Sequence, residues 1–260
     1  MRQTKVLLVG LAVGVLAVTA GMAGEAETVE SLVKKVDAKL YYPQMQGLRS
    51  LQADAQSSLL TSRLEQAPPE ARQAKLAFYW AQPYQTRFRV TGVPDAYSGE
   101  AREVERNLSM WSERIVPKPL GLALADYTCR LTENESSYVI DARTTAPTAF
   151  FWAMKYTIDK KSLLPNRWHI STNEWEADVE IAYEAVPTGQ FYAKRLKAQG
   201  DGTEVTIEKT HTAVGQFLLV DSLAVTFAGS DGTRQTSTLK LSNFRPNQPI
   251  PPDTFPKASR

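Results

Sequence analysis

Alternating apolar and polar residues, interrupted by turn signals, fill the second half of this chain from Leu122 onwards. Asp201-Gly202 and Asp231-Gly232 are dipeptides that two-residue hairpin turns prefer, and each lies between two alternating runs. The repeated spacing favours a single antiparallel sheet that is strongly curved or nearly closed. The strands predicted there cover residues 125–133, 137–143, 150–158, 164–171, 218–228 and 234–243.

Two segments carry the apolar spacing of amphipathic helices. Residues 28–41 have one apolar face, and Thr28 occupies the N-cap position. Residues 98–116 form the second predicted helix, which Ser98 would cap and Pro117 would end. Packing of its apolar stripe into the core is the favoured interpretation over a surface for another protein. The pattern predicts no further helix.

The remaining part of the first half reads as strands and loops. Residues 47–60 are polar with weak alternation and predict an edge strand, whereas residues 66–70 predict a loop. Residues 74–80 and 84–90 alternate on either side of Pro83. These two runs predict a hairpin with one apolar face.

The N-terminus has the pattern of an export signal. Arg2 and Lys5 precede an apolar run over residues 6–22, which leads into a Gly-Met-Ala sequence of the kind that signal peptidases cut after. We therefore expect residues 1–23 to be a cleavable signal peptide and residues 24–260 to form one domain. The alternative is an uncleaved membrane anchor, for which the apolar run is at the short end.

Charge and cysteine content limit the function classes. Removal of the predicted signal leaves 28 basic and 28 acidic residues. Such a neutral chain is a poor nucleic-acid binder, because that affinity rests on neutralising phosphates. Cys129 is the single cysteine, so no internal disulfide is expected, and no cysteine adjoins the cleavage region for lipid attachment. The predicted location is the periplasm, or otherwise outside the cytoplasm, without a lipid anchor.

A row of carboxylates has two interpretations. In a strand, alternation places Glu174, Glu176, Asp178 and Glu180 on one face, where clustered oxygens could bind a hard cation. The favoured interpretation is the solvated face of a hairpin. A turn at residues 187–188 would pair Glu180 with Arg195 and Asp178 with Lys197, which are favourable cross-strand charge pairs. Trp175 and Val179 would then lie on the buried face, and no metal is predicted.

No motif in the chain predicts catalysis. His169 and His211 lie in predicted strands without metal-ligand spacing, and neither a nucleophile elbow nor a phosphate-binding glycine loop is present. We therefore expect no catalytic residue, no cofactor and no enzyme activity. The hydrolase alternative requires a cleft with one of these histidines in hydrogen-bond reach of a serine or a carboxylate.

Large apolar side chains fall on the apolar face of many predicted strands. A curved sheet with such a face is either filled by its own helices or left with a cavity for an apolar ligand. The prediction favours a cavity. The residues expected to line it are Leu76, Phe78, Trp80, Phe88, Val90, Phe150, Trp152, Met154, Tyr156, Ile158, Trp175, Val179 and Phe227.

Three segments carry a family resemblance across most of residues 28–255. Residues 77–89 (AFYWAQPYQTRFR) place a tryptophan before the proline of a strand–proline–strand segment. Residues 156–165 (YTIDKKSLLP) form a hairpin in which an aspartate opens the turn, and residues 241–255 (LSNFRPNQPIPPDTF) run from a last strand into a proline-rich end. Together they resemble the periplasmic outer-membrane lipoprotein carrier family, with the LolA/LolB-like fold.

The resemblance implies a mainly β fold with α, an unclosed antiparallel barrel covered by a few helices. Its apolar interior would shelter acyl chains of lipoproteins or lipids in transit towards the outer membrane. The implied partners are an acylated lipoprotein or lipid and transfer components of the inner or outer membrane, with the chain itself a monomer. The residues it places in the lining strands are Trp80, Phe88, Tyr156 and Ile158.

Two features of this chain qualify the resemblance. Arg87 and Arg89 match basic positions of the family, but alternation places them on the opposite face of their strand. A helix-like segment with Trp111 stands where the family has a short hairpin. The alternative function is therefore a sensor or structural binding module of the same fold that uses an outer surface, around Trp111.

Overall fold

The computed structural model describes residues 27–146, 151–172 and 174–255. The helices are α1 (Val29–Lys39), α2 (Ser58–Arg63), α3 (Pro69–Arg72), α4 (Ser98–Ser109), α5 (Ser112–Ile115) and α6 (Leu120–Ala123), with single 3₁₀ turns at Pro43–Gln46 and Asp95–Tyr97. The strands are β1 (Ser50–Ser57), β2 (Lys75–Ala81), β3 (Gln85–Thr91), β4 (Thr128–Glu133), β5 (Ser137–Arg143), β6 (Ala153–Asp159), β7 (Pro165–Ser171), β8 (Glu176–Ala185), β9 (Phe191–Gly200), β10 (Thr203–Val214), β11 (Phe217–Ala228) and β12 (Arg234–Pro246).

Twelve strands form one antiparallel sheet in the order β3-β2-β1-β12-β11-β10-β9-β8-β7-β6-β5-β4. The sheet is curved and open, because β3 and β4 are its two edges and do not pair with each other. The predicted class, a mainly β fold with an unclosed sheet and a few helices, is confirmed. The expected Asp-Gly turns connect β9 to β10 and β11 to β12.

The prediction of an edge strand over residues 47–60 is wrong. β1 lies inside the sheet, between β2 and β12. Its polar residues face outwards and bind β12: the Asp54 carboxylate accepts from Asn243 Nδ2 and Arg245 Nη2, each at 2.9 Å. Its inward residues Leu51 and Ala53 are buried. The alternation in the sequence is weak because the outer face of β1 carries polar side chains that bind β12, and the buried face carries small residues such as alanine.

The helix predictions are right for α1 and incomplete elsewhere. Thr28 caps α1, with its Oγ1 accepting from Ser31 N at 3.2 Å. The helix predicted over residues 98–116 divides into α4 and α5, and Ser98 lies inside α4 without capping it. A hydrogen bond from Ser112 Oγ to Ser109 O, at 2.7 Å, stabilises the break between α4 and α5. α2, α3 and α6 were not predicted, since each is too short to show a helical period.

The β8–β9 hairpin has a different register from the predicted one. Its loop is longer than a two-residue turn, since Val186 N donates to Gln190 O at 2.8 Å. A further shift follows at a bulge after Ala182. Glu180 therefore lies opposite Lys197 instead of Arg195, and Asp178 lies opposite Gln199 instead of Lys197. The four carboxylates of the row are exposed, as expected for a solvated face.

Two apolar clusters cover the concave face of the sheet. The first lies between β1–β3, β11, β12 and helices α2–α5; its largest fully buried side chains include Leu51, Phe78, Trp80, Phe88 and Leu108. The second lies between β5–β9 and helices α1 and α6; its members include Leu32, Val36, Ile140, Ile158 and Trp168. Ile207 of β10 packs against both clusters, so the middle of the sheet is the boundary between them.

The predicted signal peptide, residues 1–23, and the predicted lining residue Phe150 lie outside the described residues. Within the described ranges, no helix combines the length and the apolar content that crossing a bilayer requires.

The first cluster makes a stability prediction. Phe78 lies opposite Phe88 across β2 and β3, with ring centroids 5.0 Å apart, and both are fully buried. We expect Phe78→Ala to lower the free energy of unfolding by about 3–5 kcal/mol, because it leaves a cavity in a packed core. Phe227→Ala, at a half-exposed position, should cost less than about 1 kcal/mol. Urea denaturation followed by tryptophan fluorescence measures both, and equal losses would contradict the described packing.

Candidate ligand site

A cavity of about 120 Å³ opens between the two clusters. One wall is formed by residues of β8–β11, among them Tyr183, Phe191, Lys209, His211 and Val220. The other wall is formed by the segment that follows α1 and by the segment between α5 and α6, with Leu40, Tyr41, Ile115, Pro117 and Lys118. The lining is largely aromatic and aliphatic, with two basic side chains from β10.

Asp37 holds together the elements that border this cavity. Its carboxylate is buried and accepts from Tyr42 Oη at 3.0 Å, from Leu120 N at 2.7 Å and from Gly121 N at 3.0 Å. The two backbone donors begin α6, where unpaired N–H groups and the helix dipole favour an anion. Asp37 therefore links α1, the segment after it and α6 in one contact. Burial and the Asp37 charge raise the pKa of Tyr42 well above its usual range.

Further hydrogen bonds join the cavity mouth to the sheet. Gln44 Nε2 donates to Pro117 O at 2.7 Å, and Tyr84 Oη of the β2–β3 turn donates to Val116 O. Tyr41 N donates to Phe191 O at 2.7 Å, at the start of β9. These bonds give the mouth a defined shape although it contains little regular structure.

Lys209 is a buried cation on the floor of the cavity. It lies on the concave face of β10, in alternation with Val205 and Ile207, and its side chain is only 6% exposed. No acidic residue in the described part of the chain forms an ion pair with it. Burial, and secondarily the charge of Arg114, lowers the pKa of Lys209 to about 7. An unpaired buried ammonium is costly, so its depressed pKa reflects the poor solvation of the charged form.

A second basic side chain, Arg114, lies near the cavity, where its charge acts on Lys209; it is partly buried and does not line the cavity. It extends from α5, and its guanidinium carbon lies 5.7 Å from the centroid of the Trp168 ring in the second cluster. Burial lowers the pKa of Arg114. The adjacent Glu113 pairs with Lys118 at 2.5 Å instead, and within the described ranges Arg114 has no ion-pair partner. Arg114 thus bridges the boundary between the two clusters through its side chain.

His211 completes the basic side of the cavity. Its Nδ1 is buried without a hydrogen-bond partner in the described structure, and its ring lies 3.9 Å from the ring of Tyr192, centroid to centroid. Burial, followed by the positive charge of Lys209, lowers the pKa of His211 to about 4. The imidazole is therefore neutral at physiological pH.

The residues predicted to line a cavity are distributed over both clusters. Leu76, Phe78, Trp80, Phe88 and Val90 are buried in the first cluster. The second cluster holds Met154, Tyr156, Ile158 and Val179. All nine lie on the concave face, but none of them borders the cavity between the clusters. Their role in ligand binding remains a prediction.

Three other predicted lining residues are exposed. Trp152 precedes β6 instead of lying within it, and its indole Nε1 donates to Thr172 O at 2.7 Å. Trp175, expected on a buried face, precedes β8 and is 36% exposed. Both border a shallow depression of about 530 Å³ that is open to solvent. Phe227 shares the concave face with buried Val225 but is 48% exposed at the end of β11, where the cover of the sheet ends.

One histidine meets the distance condition of the hydrolase alternative. His169 Nδ1 lies 2.9 Å from Asp178 Oδ1, and its Nε2 lies 3.4 Å from Ser171 Oγ. A nucleophile must reach its substrate, whereas Ser171 is only 3% exposed and its hydroxyl also donates to Glu176 Oε1 at 3.3 Å. The arrangement is therefore a polar network on the outer face of β7 and β8 without an accessible nucleophile.

The sequence contained a signal for the basic site that the analysis of motifs missed. Val205, Ile207 and Lys209 occupy successive positions of one strand face, so a lysine stands where the pattern requires an apolar residue. Lysine is rarely buried without a partner, so a lysine on an apolar strand face is a candidate functional residue.

The chain was compared with known proteins. No protein-family profile and no curated protein sequence matches it. Solved structures similar to it include a LolA superfamily protein from Nitrosomonas europaea, with 12% identity, 89% of this chain and 99% of that chain covered, and a TM-score of 0.34. An outer membrane lipoprotein-sorting protein domain from Vibrio parahaemolyticus has 10% identity, coverages of 85% and 93%, and a TM-score of 0.37. A DUF1329 family protein from Desulfovibrio piger has 8% identity, coverages of 85% and 92%, and a TM-score of 0.34.

These identities and TM-scores are low, so the similarities by themselves assign neither a family nor a function to this chain.

The Asp37 contact predicts a graded loss of stability. Asp37→Ala leaves two α6 N–H donors and the Tyr42 hydroxyl without their acceptor, and we expect it to lower the free energy of unfolding by about 2–3 kcal/mol. Tyr42→Phe removes one of the three bonds and keeps the carboxylate, so its cost should be about 1 kcal/mol. Chemical denaturation of both variants measures the order, and a larger loss for Tyr42→Phe would contradict the role given to Asp37.

Lys209 predicts an unusual dependence of stability on pH. Its pKa is about 7 in the folded chain, against about 10.4 for an unfolded lysine, so between these values the unfolded chain binds the extra proton. This group therefore makes the free energy of unfolding rise as the pH increases from about 7 to about 10.

Lys209→Met should remove that rise and increase the stability at pH 7, because a thioether side chain buries without a charge. Lys240→Met, at an exposed position of β12, should do neither and serves as the control. Denaturation across this pH range measures both effects. A destabilised Lys209→Met protein would mean that the ammonium has a compensating partner.

Proposed function

We propose that this chain is an exported carrier that binds an acyl chain on the concave face of its sheet. The observation that carries the proposal is the boundary between the two apolar clusters. There Ile207 and Val205 are only partly buried, and the half-exposed Phe227 continues the same strip to the end of β11. An uncovered apolar strip on a concave face favours an apolar ligand.

The dimensions of this strip suit one hydrocarbon chain. A strand rises about 3.3 Å per residue, so the strip over Val205 and Ile207 together with the cavity floor at Lys209 and His211 extends roughly 20 Å along β10. The acyl chains of one membrane leaflet extend over about 15 Å, half of the hydrocarbon core. Burial of each methylene contributes about 0.8 kcal/mol, so a single chain on this face would bind tightly.

The cover of the sheet must move for a whole chain to enter. The cavity of about 120 Å³ is smaller than an ordinary ligand pocket of about 300 Å³ or more. The cover over the boundary consists of α5 and residues 116–119, which are held by a few hydrogen bonds from Gln44 and Tyr84. Displacing this segment would join the cavity to the strip and bring the predicted lining residues of both clusters next to the ligand.

The apolar run at residues 6–22 supports export, and the absence of an adjoining cysteine supports a diffusible mature form. In this role the chain would take its acyl chain from a lipid or an acylated lipoprotein at one membrane. The protein would then deliver the acyl chain to an acceptor at another membrane.

The small cavity favours a second candidate function, a binding module with a filled interior. Its surface would include Met110, which is 68% exposed, and the partly buried Trp111 between α4 and α5. Such a module would bind a partner without taking up lipid.

Uptake of a dansyl-labelled fatty acid tests the proposal, with a variant that fills the strip. Ala198 lies opposite Val205 on the concave face and is partly exposed. Ala198→Trp should displace about two methylenes of the ligand, which costs about 1.6 kcal/mol and weakens binding roughly fifteenfold. Ala182→Trp, on the outer face of β8, should bind as the unchanged chain does.

Native mass spectrometry of the protein purified from its host is the complementary measurement. Co-purified lipid together with dye uptake supports the carrier. If the unchanged chain neither retains lipid nor takes up the dye, the carrier proposal is wrong and the filled module is favoured. Equal binding by Ala198→Trp would place the acyl chain elsewhere on the protein.

A further inference from the structure

The interior between the two clusters collects hydrogen-bond donors. The Lys209 amine, whose pKa is about 7, and the Arg114 guanidinium lie there. Trp168 Nε1, beside Arg114, is buried without a partner in the described structure. Tyr156, stacked on Trp168 with ring centroids 5.5 Å apart, donates only to the weak acceptor Met154 Sδ at 3.7 Å. The donors come from β6, β7, β10 and α5, so the fold assembles them from distant parts of the chain.

Acceptors of matching charge are absent from the same described interior. The carboxylates adjoining these two residues in sequence are not available: Glu113, next to Arg114, pairs with Lys118, and Glu208, next to Lys209, is exposed on the other face of β10. The buried Asp37 carboxylate accepts from α6 and Tyr42. No carboxylate of the described residues pairs with Lys209 or Arg114. Two like charges in one poorly solvated interior destabilise the fold, and removing such charges commonly stabilises a protein. A ligand that supplies the missing negative charge would explain why Lys209 and Arg114 are placed there at a cost in stability.

We propose that Lys209 and Arg114 bind the anionic group of a singly acylated amphiphile, a carboxylate or a phosphate, while its hydrocarbon chain lies along Ile207, Val205 and Phe227. This inference rests on the proposed function and names the chemistry of its ligand. Arginine offers a planar pair of donors that suits both anions, and lysine adds a point charge that suits either. The charge lies at the cavity floor, and the apolar residues follow at every second position of β10.

The arrangement also accounts for Lys209 lying where the alternation requires an apolar residue. The chain from Lys209 to Val205 spans about 13 Å of strand, and Phe227 lies opposite Val205 on β11. An anion at Lys209 therefore leaves a hydrocarbon tail of ordinary length in contact with the strip as far as its open end. Binding would restore the proton of Lys209, because an adjacent negative charge favours the ammonium.

A matched pair of ligands tests the anion site. Dodecanoate and dodecanol share one hydrocarbon chain and differ in charge, and isothermal titration calorimetry at neutral pH measures both affinities. We expect the unchanged protein to bind dodecanoate at least about tenfold more tightly than dodecanol, as a charge-assisted contact in a buried site provides. Lys209→Met should lose this preference and keep its affinity for dodecanol. Lys209→Arg should retain the preference.

Failure of the inference and failure of the proposed function give different results. If dodecanol and dodecanoate bind equally to the unchanged protein, the anion site is wrong and the carrier stands. If neither binds, the carrier itself is wrong. Acetate and inorganic phosphate are the controls for a free anion, and binding of either as tight as that of dodecanoate would overturn a lipid as the source of the charge. If Lys209→Met still prefers dodecanoate to dodecanol, Lys209 does not bind the anion.

Discussion

The pairing of β1 with β12 is the constraint on which the rest of the architecture depends. It pairs an early strand with the last strand in chain order, with Ala55 opposite Leu241. As a result, β1 and the β2–β3 hairpin extend the sheet on the far side of β12. The first apolar cluster exists only because of this pairing, since its members come from β1–β3 on one side and from β11 and β12 on the other. The strands of the second cluster are consecutive, and α1 reaches them from a distant part of the chain. Two separately covered clusters, with β10 between them, are the result.

The boundary between the clusters concentrates the features on which the proposed function rests. Helices α1 and α6 cover one side and α4 covers the other, whereas the boundary itself lies under α5 and residues 116–119. Lys209 and Arg114 are placed there without acidic partners among the described residues, at a cost in stability. The cavity opens there, and the apolar strip extends from it along β10 to its exposed end at Phe227. A site where the core is incomplete and charged is the physical requirement for binding an amphiphile, because each part of the ligand needs a different environment.

The hairpins of the second half were predictable because they depend on local chemistry. The Asp201-Gly202 and Asp231-Gly232 turns and the alternation beside them require only neighbouring residues. The β8–β9 register was not predictable, because one additional loop residue and a bulge moved every pair. The division of α4 from α5 also escaped prediction. It depends on Ser112, whose hydroxyl donates to Ser109 O and accepts from Thr86 of β3, a contact with a distant strand.

The candidate site shows the same division between local and long-range information. From the sequence alone, apolar faces with large side chains could be assigned to strands, and nine of the thirteen residues predicted to line a cavity are buried in the two clusters. Trp152, Trp175 and Phe227 were misjudged, because alternation indicates the face of a strand and not whether anything covers it.

The sequence by itself determined the class of the fold, the hairpins and α1, since turn chemistry, alternation and capping act over a few residues. Only the tertiary structure decided that the core divides into two clusters and that Lys209 and the cavity lie between them, with Arg114 nearby. Those positions are set by pairing and packing between segments far apart in the chain, which no local pattern records.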